Sequence, residues 1–190
     1  MPYQDTASAK ESISNIMDWA VGNDLAFTQN LGAGWGAVFE TGKNESHRYL
    51  LWQNIDDFPF AGIGMLNPTG NERRDKDSSM GSCMAFAYHV ERSVLFWNLF
   101  STVTLHISEL QIISEPVGRF NDEAIELALS ICDPTIAAWG DTGSLDGRSR
   151  QIQARCPGLQ APLMVFHLNK SGEPAHPTHV SNLEPMPWRY

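Results

Sequence analysis

The stretch Phe60-Ala61-Gly62-Ile63-Gly64-Met65-Leu66-Asn67-Pro68-Thr69-Gly70-Asn71 decides the fold. A short apolar run breaks off at Asn-Pro and passes into polar, glycine-containing sequence, as a strand covered on both faces does where it leaves a sheet. Ser93 to Asn98, Thr135 to Trp139 and Leu163 to Leu168 repeat the pattern. Helical stretches separate the runs: Ser78 to Glu91, then His106 to Ile113 with Asn121 to Ile131, then Leu145 to Arg155. This alternation is the signature of βαβ units. The expected fold class is therefore α/β, a three-layer sandwich around a central four-stranded parallel sheet.

Upstream, Ser8 to Val21 carries Ile13, Ile16, Met17 and Ala20 at helical spacing behind a capping serine. Trp35 to Glu40 and His47 to Gln53 flank Thr41-Gly42-Lys43-Asn44 and read as a hairpin, expected as a flap or edge element. One domain over residues 1–190 accounts for these elements, with residues 1–59 as an extension and 60–190 as the α/β core. The tail after Lys170 is rich in Pro, His and Asn and is expected to wrap the surface as an ordered loop.

Composition narrows the function classes. A chain of 190 residues that is 42% hydrophobic is an ordinary globular composition. Its apolar runs, such as Val94 to Phe100, fall far short of the roughly 18 residues of a membrane span, and no basic-then-apolar leader opens it, so a cytoplasmic location without membrane contact is expected. Cys83, Cys132 and Cys156 are far apart and form no Cys-x-x-Cys pair, and small buried residues are expected there. The net charge of −9 excludes coating of nucleic acid by electrostatics alone. It leaves room for a local basic rim from Arg73, Arg74, Lys76, Arg148, Arg150, Arg155 and Lys170, which read equally well as a mixed-charge surface.

In open parallel sheets ligands bind outside the carboxyl ends of the strands. The expected strands end on Asn67-Pro68-Thr69, Asn98, Trp139-Gly140-Asp141 and Asn169-Lys170-Ser171-Gly172, with His176-Pro177-Thr178-His179 beyond. Asn67 can orient a water or bind a ligand edge, although Asn-Pro is also an ordinary turn. Asn98 sits in an apolar run where its amide needs partners, from a ligand or from a loop. His176 can donate to an anionic leaving group or a phosphate, or be a surface histidine. Asp77 and Asp141 are the carboxylates near these ends, readable as a helix cap and a turn residue or as charges that assist a water or a cationic sugar. Met65, Trp97, Phe100 and Trp139 are available to contact or stack on a ligand, or to fill the core. No third ligand completes a metal site with His176 and His179, neither Ser82 nor Ser171 lies in a Gly-x-Ser-x-Gly elbow, and no phosphate-loop or dinucleotide fingerprint occurs. Neither metal nor cofactor is expected.

Gly64-Met65-Leu66-Asn67-Pro68, Leu95-Phe96-Trp97-Asn98-Leu99-Phe100, Ala138-Trp139-Gly140 and Gly172-Glu173-Pro174-Ala175-His176-Pro177 together resemble two things. The nearer is a bacterial and phage family of unknown-function domains with Leu-Asn-Pro-Ser/Thr and Gly-x-Pro-x-His-Pro motifs, a likeness spanning roughly residues 48–188. The more distant is the uracil-DNA glycosylase superfamily, and within reach of it the phage-defence glycosylases that act on glucosylated hydroxymethylcytosine. The resemblance implies that Asn67 positions the attacking water, Asn98 reads a flipped base, His176 stabilises the departing base anion and Thr178 contacts phosphate. It extends DNA contacts to Pro68, Thr69, Arg73, Arg74, Lys170, Pro177 and His179, the last standing where many of these enzymes have proline. The function so implied is excision of a modified base, such as a bulky modified cytosine in phage DNA, leaving an abasic site and serving antiviral defence. Two other expectations stay open: an N-glycoside hydrolase or transferase acting on free nucleosides or nucleotides, and a non-catalytic module that binds modified DNA.

Overall fold

A computed structural model describes residues 6–29, 32–41, 47–70, 78–156, 162–180 and 182–188. Four helices, α1 (Ala9–Gly22), α2 (Ser78–His89), α3 (Asn121–Ile131) and α4 (Arg148–Arg155), surround one eight-stranded mixed sheet. Its strands are β1 (Ala26–Thr28), β2 (Trp35–Phe39), β3 (Arg48–Gln53), β4 (Phe60–Met65), β5 (Ser93–Asn98), β6 (Cys132–Ala137), β7 (Leu163–Val165) and β8 (Met186–Pro187), in the order β1-β2-β3-β5-β4-β6-β7-β8.

The sheet is wider than expected. β5, β4, β6 and β7 pair in parallel as neighbours, but β3 adds antiparallel to β5, β2 to β3 and β1 to β2, while β8 adds antiparallel to β7. The hairpin is thus no flap. β2 and β3 are buried almost throughout, because Leu50 faces Trp97 and Trp52 faces Leu95 across the β3–β5 ladder. The tail, expected as loop, carries β8, and Trp188 behind it packs 5.5 Å from the Trp139 ring.

Period-two alternation sends the two faces of the sheet to different helices. Trp52, Phe60, Leu95 and Trp97 pack with Ile16 and Ala20 of α1, Ala124 and Ile125 of α3 and Ile152 of α4. Leu51, Ala61, Ile63, Val94 and Phe96 pack with Cys83, Phe86 and Ala87 of α2. Helices therefore cover both faces. Ser8 caps α1, its Oγ accepting from Glu11 N at 3.4 Å, and Asp57 Oδ1 accepts from Lys10 N at 2.8 Å. The expected helix at His106 to Ile113 is a single 3-10 turn, Ile107–Gln111. The last helix starts at Arg148 rather than Leu145, because Leu145 is extended (ψ 127°) and Asp146 lies at φ 52°. Among the described residues no helix is long and apolar enough to cross a membrane. Cys83 and Cys132 are buried, Cys156 is half-buried, and all three are free thiols.

β4 is the pivot of the connections: the chain goes to β5 on one side of it and then crosses to β6 on the other. Such a reversal opens a crevice at the carboxyl ends of the diverging strands. At the centre of the sheet Gly64 pairs with Trp97, and a Cβ at residue 64 would lie 2.5 Å from the indole, which is wholly buried and has nowhere to go. Gly64→Ala is expected to cost about 1–3 kcal/mol through overpacking, read as a lower urea midpoint at unchanged slope.

Candidate active site

A cleft of about 520 Å³ opens at the carboxyl edge of the parallel strands, on the α2 side of the sheet. Met65 and Asn98 stand side by side in the β4–β5 register, and the ladder continues past them through Leu99 N to Met65 O and Phe100 N to Leu66 O, both 2.9 Å. Asn67, Thr69, Asn98, Trp139, Asp141, His176 and His179 all line it, as does Met65. Residues up to 114 positions apart in sequence, Met65 and His179, thus meet where the strand order reverses.

Asn67 is fixed by its amide nitrogen. Nδ2 donates to Pro68 O at 2.9 Å and to Thr104 O at 2.8 Å. Two carbonyl acceptors on one side settle which amide atom is nitrogen, and Oδ1 is left with no donor among the described residues. The side chain is therefore a pre-oriented acceptor, half-buried at the cleft wall. Asn98 is the converse case. It is 2% exposed, and its Nδ2 has no hydrogen-bond partner, although its own carbonyl accepts from Asn121 Nδ2 at 3.0 Å. A buried donor left without an acceptor costs about 1–3 kcal/mol, and a ligand acceptor in the cleft would recover it.

The motif after β7 is held against β6 from both sides. Gly140, at φ 77°, donates its N–H to Pro174 O at 2.9 Å, a left-handed conformation that favours glycine. Glu173, 6% exposed, accepts from Trp139 Nε1 at 2.9 Å and from Ser149 Oγ at 2.8 Å, which fixes the indole in the wall. His176 is half-buried, with Nδ1 2.8 Å from Thr178 Oγ1 and its ring 6.0 Å from that of His179. Thr178, exposed and off the cleft wall, meets His176 rather than the cavity. Asp141 Oδ1 accepts from Ser171 Oγ at 2.5 Å and Asn169 Nδ2 at 2.9 Å. These two bonds, with the nearby His179, hold its pKa below the usual carboxylate range.

Other expectations are corrected. Trp97 and Phe100 do not face the cleft. They lie in the core with α1 and α3, because on β5 Phe96 and Asn98 face α2 and Trp97 faces the opposite helices. Phe96 takes the place in the wall that Trp97 was expected to have. Pro68 and Pro177 are buried behind the wall, and Lys170 is exposed outside it. Arg148 is no rim residue: it is 3% exposed, its Nε donates to Leu99 O at 2.9 Å, and it pairs with Asp122 at 2.5 Å. Arg155 pairs with Asp122 and Glu126. Asp77, Arg73, Arg74 and Lys76 lie outside the described residues, as does most of the hairpin turn.

Arg48, Phe96, Leu105 and Ile107 also line the cleft and were not expected there, as does Asn169, named above only as a strand end. Arg48 begins β3, and only the antiparallel pairing of β3 with β5 brings a strand's first residue to this edge. Its Nη1 donates to Gly70 O at 2.7 Å. Elsewhere, Ser101 Oγ lies 2.8 Å from His47 Nδ1, but that hydroxyl donates to Val117 O at 2.6 Å and the serine is fully buried, so the pair is no nucleophile and base. Among the described residues no group of three His, Cys, Asp or Glu is placed to hold a metal.

Fold and site together define an α/β domain with a cleft of mixed apolar and polar lining at the switch point of its sheet. The family model described as "Protein of unknown function (DUF1643)" matches residues 48–178, and the chain belongs to that family. The match begins at Arg48, the first residue of β3, and takes in every strand lining the cleft. No curated protein and no solved structure matches the chain.

Asn98→Leu is expected to raise the stability of the ligand-free protein by about 1 kcal/mol, since an apolar side chain of similar size removes the orphaned donor, and urea unfolding reads this. Depressed in the folded state, the Asp141 pKa gives the loop 169–173 a contribution that is complete above the unfolded value and lost as pH falls through the folded one. Amide protection factors there should hold down to about pH 3.9 and fall below it.

Proposed function

We propose that this protein is a monofunctional DNA glycosylase of the uracil-DNA glycosylase type, which turns a modified base, such as a glucosylated hydroxymethylcytosine, into the cleft and hydrolyses its N-glycosidic bond. The observation that carries this is the pair of asparagines: Asn67, with Nδ2 tied to two carbonyls and Oδ1 available to accept, and Asn98, with a buried donor awaiting an acceptor. Cleavage breaks the bond between C1′ and the base nitrogen, leaving positive charge on the sugar and the electron pair on the base. Asn67 Oδ1 orients the water that bonds to C1′, Asn98 Nδ2 donates to the base edge, and His176 donates toward the anion as it leaves. The water's surplus proton ends on the released base. Asp141, ionised at neutral pH, opposes the positive charge on the sugar. A cleft of about 520 Å³ exceeds what a bare pyrimidine needs and suits a base with a bulky substituent.

The net charge of −9 favours a second reading, hydrolysis of free nucleosides or nucleotides, which needs no phosphate-backbone contacts. Competition by an oligonucleotide and by a mononucleotide carrying the same modified base separates the two. Mass spectrometry of phage genomes incubated with the protein should find one modified base released, and alkali should break the DNA at those sites. Intact DNA from every modified genome would sink the proposal. Asn67→Ala should slow release by on the order of 10²-fold while binding changes little.

A further inference from the structure

Glu173 is 6% exposed, yet among the described residues no lysine or arginine stands within ion-pair distance of it. Its two oxygens meet neutral donors instead: Oε2 accepts from Trp139 Nε1 at 2.9 Å and Oε1 from Ser149 Oγ at 2.8 Å. Burying a carboxyl group carries a cost that neutral donors offset only in part, and an apolar cluster of similar volume often serves a fold as well. Packing alone gives no reason for this knot. The elements it joins do. Around Glu173 the backbone is tied to the strand ends: Glu173 O accepts from Asn169 N, Pro174 O accepts from Gly140 N, and Ala175 N donates to His167 O, each at 2.9 Å. His176 follows, its Cβ 3.6 Å from where a side chain at residue 140 would begin. On the other side Ser149 belongs to α4, and its neighbour Arg148, 3% exposed, donates Nε to Leu99 O at 2.9 Å. Leu99 is next to Asn98. Two consecutive residues at the start of α4 thus grip the end of β5 with one side chain and the loop of His176 with the other.

We infer that Glu173 is a positioning residue, which through Ser149 and Arg148 sets His176 at a fixed place relative to Asn98. The sheet by itself ties the two only loosely, since β4 and β6 lie between β5 and β7. The α4 bridge spans that gap directly, with one buried side chain at each end. What His176 does once placed rests on the glycosylase reading, in which Asn98 holds the base edge while His176 donates to the departing anion. A donor displaced by about 1 Å from such a geometry loses much of its effect. The clamp works by shape and hydrogen bonding. A glutamine at residue 173 can take the indole N–H on its oxygen and give its own amide N–H to the Ser149 hydroxyl, so it keeps both links. Leucine, of similar size, keeps neither.

The test uses the full chain and begins without any substrate. Ring signals of the histidines are recorded by nitrogen-15 NMR, and those of His176 are identified by their loss in H176Q. E173L should displace or broaden the His176 signals, while E173Q should leave them close to wild type. S149A, which keeps the Trp139 bond and cuts the link to α4, should displace them in the same direction as E173L by a smaller amount. Base release is then followed on a duplex carrying glucosylated hydroxymethylcytosine. For E173L, kcat should fall about tenfold with KM within about twofold of wild type, and E173Q should restore most of the loss. The clamp is overturned if E173L, folded by near-ultraviolet circular dichroism, keeps the wild-type His176 signals, if E173Q displaces them as far as E173L does, or if E173L releases base at the wild-type kcat. Should E173L not fold, S149A decides: displaced His176 signals support the clamp and wild-type ones overturn it. Wild-type protein that releases no base removes the glycosylase reading, and the His176 signals still judge the clamp.

Discussion

The indole of Trp97 occupies the space that a side chain at residue 64 would need, at the middle of the sheet where β4 and β5 run side by side. Much else follows from that one contact. A tryptophan committed to the α1–α3 face sends its strand neighbours, Phe96 and Asn98, to the α2 face, because successive side chains on a strand alternate. Asn98 therefore reaches the carboxyl edge on the side where the cleft opens. Trp97 also meets Trp139 edge-on at 5.9 Å, and Trp139 in turn is held by Glu173, so the packing centre is continuous with the wall of the site. Were residue 64 larger, the indole would have to move, and the alignment of Met65 with Asn98 would move with it.

The four parallel strands and their polar ends were legible in the sequence because each is a short apolar run that stops at Asn, Gly or Pro. The face each residue takes was legible too, in principle: Trp97 and Asn98 are adjacent on one strand, so they cannot both line one cleft. The hairpin was recognised but misplaced, since nothing local in Arg48-Tyr49-Leu50-Leu51-Trp52-Gln53 says that β3 pairs with β5, which begins 45 residues further along the chain. That long-range pairing is also what hid Arg48 and made a wall residue look like the start of an outlying strand. Leu105 and Ile107 escaped notice because they fall before and at the start of an expected helix, His106 to Ile113, that is a single 3-10 turn, and nothing local says that this segment meets the β4 end.

Charge is spent unevenly over this surface. Arg148 and Arg155 are engaged by Asp122 and Glu126, and Arg148 also ties β5 to α4 through the Leu99 carbonyl. A buried guanidinium with a carboxylate and a carbonyl is a structural cross-brace, and removing one partner would strand the other. With those cations committed to the scaffold and a net charge of −9, a polyanion gains little from long-range attraction. On the proposed function, recognition would fall to short-range groups at the cleft: hydrogen bonds from amides, an imidazole, and apolar contact at the rim.

The two asparagines of the site differ in how much stability each gives up. Asn67 has its donors satisfied by the Pro68 and Thr104 carbonyls, so fixing its orientation costs the fold little and leaves an acceptor in place before any ligand arrives. Asn98 carries an unpaired buried donor that an apolar residue of the same size would not, in a strand whose other positions are apolar except Ser93. Folding alone does not account for it. A group kept at a cost to the free protein would be accounted for, on the proposed function, by a bound partner that returns the cost, and Asn98 borders the cleft. On the proposed function the satisfied amide serves geometry and the unsatisfied one affinity, and the β4–β5 register that sets Met65 beside Asn98 puts both at the same opening.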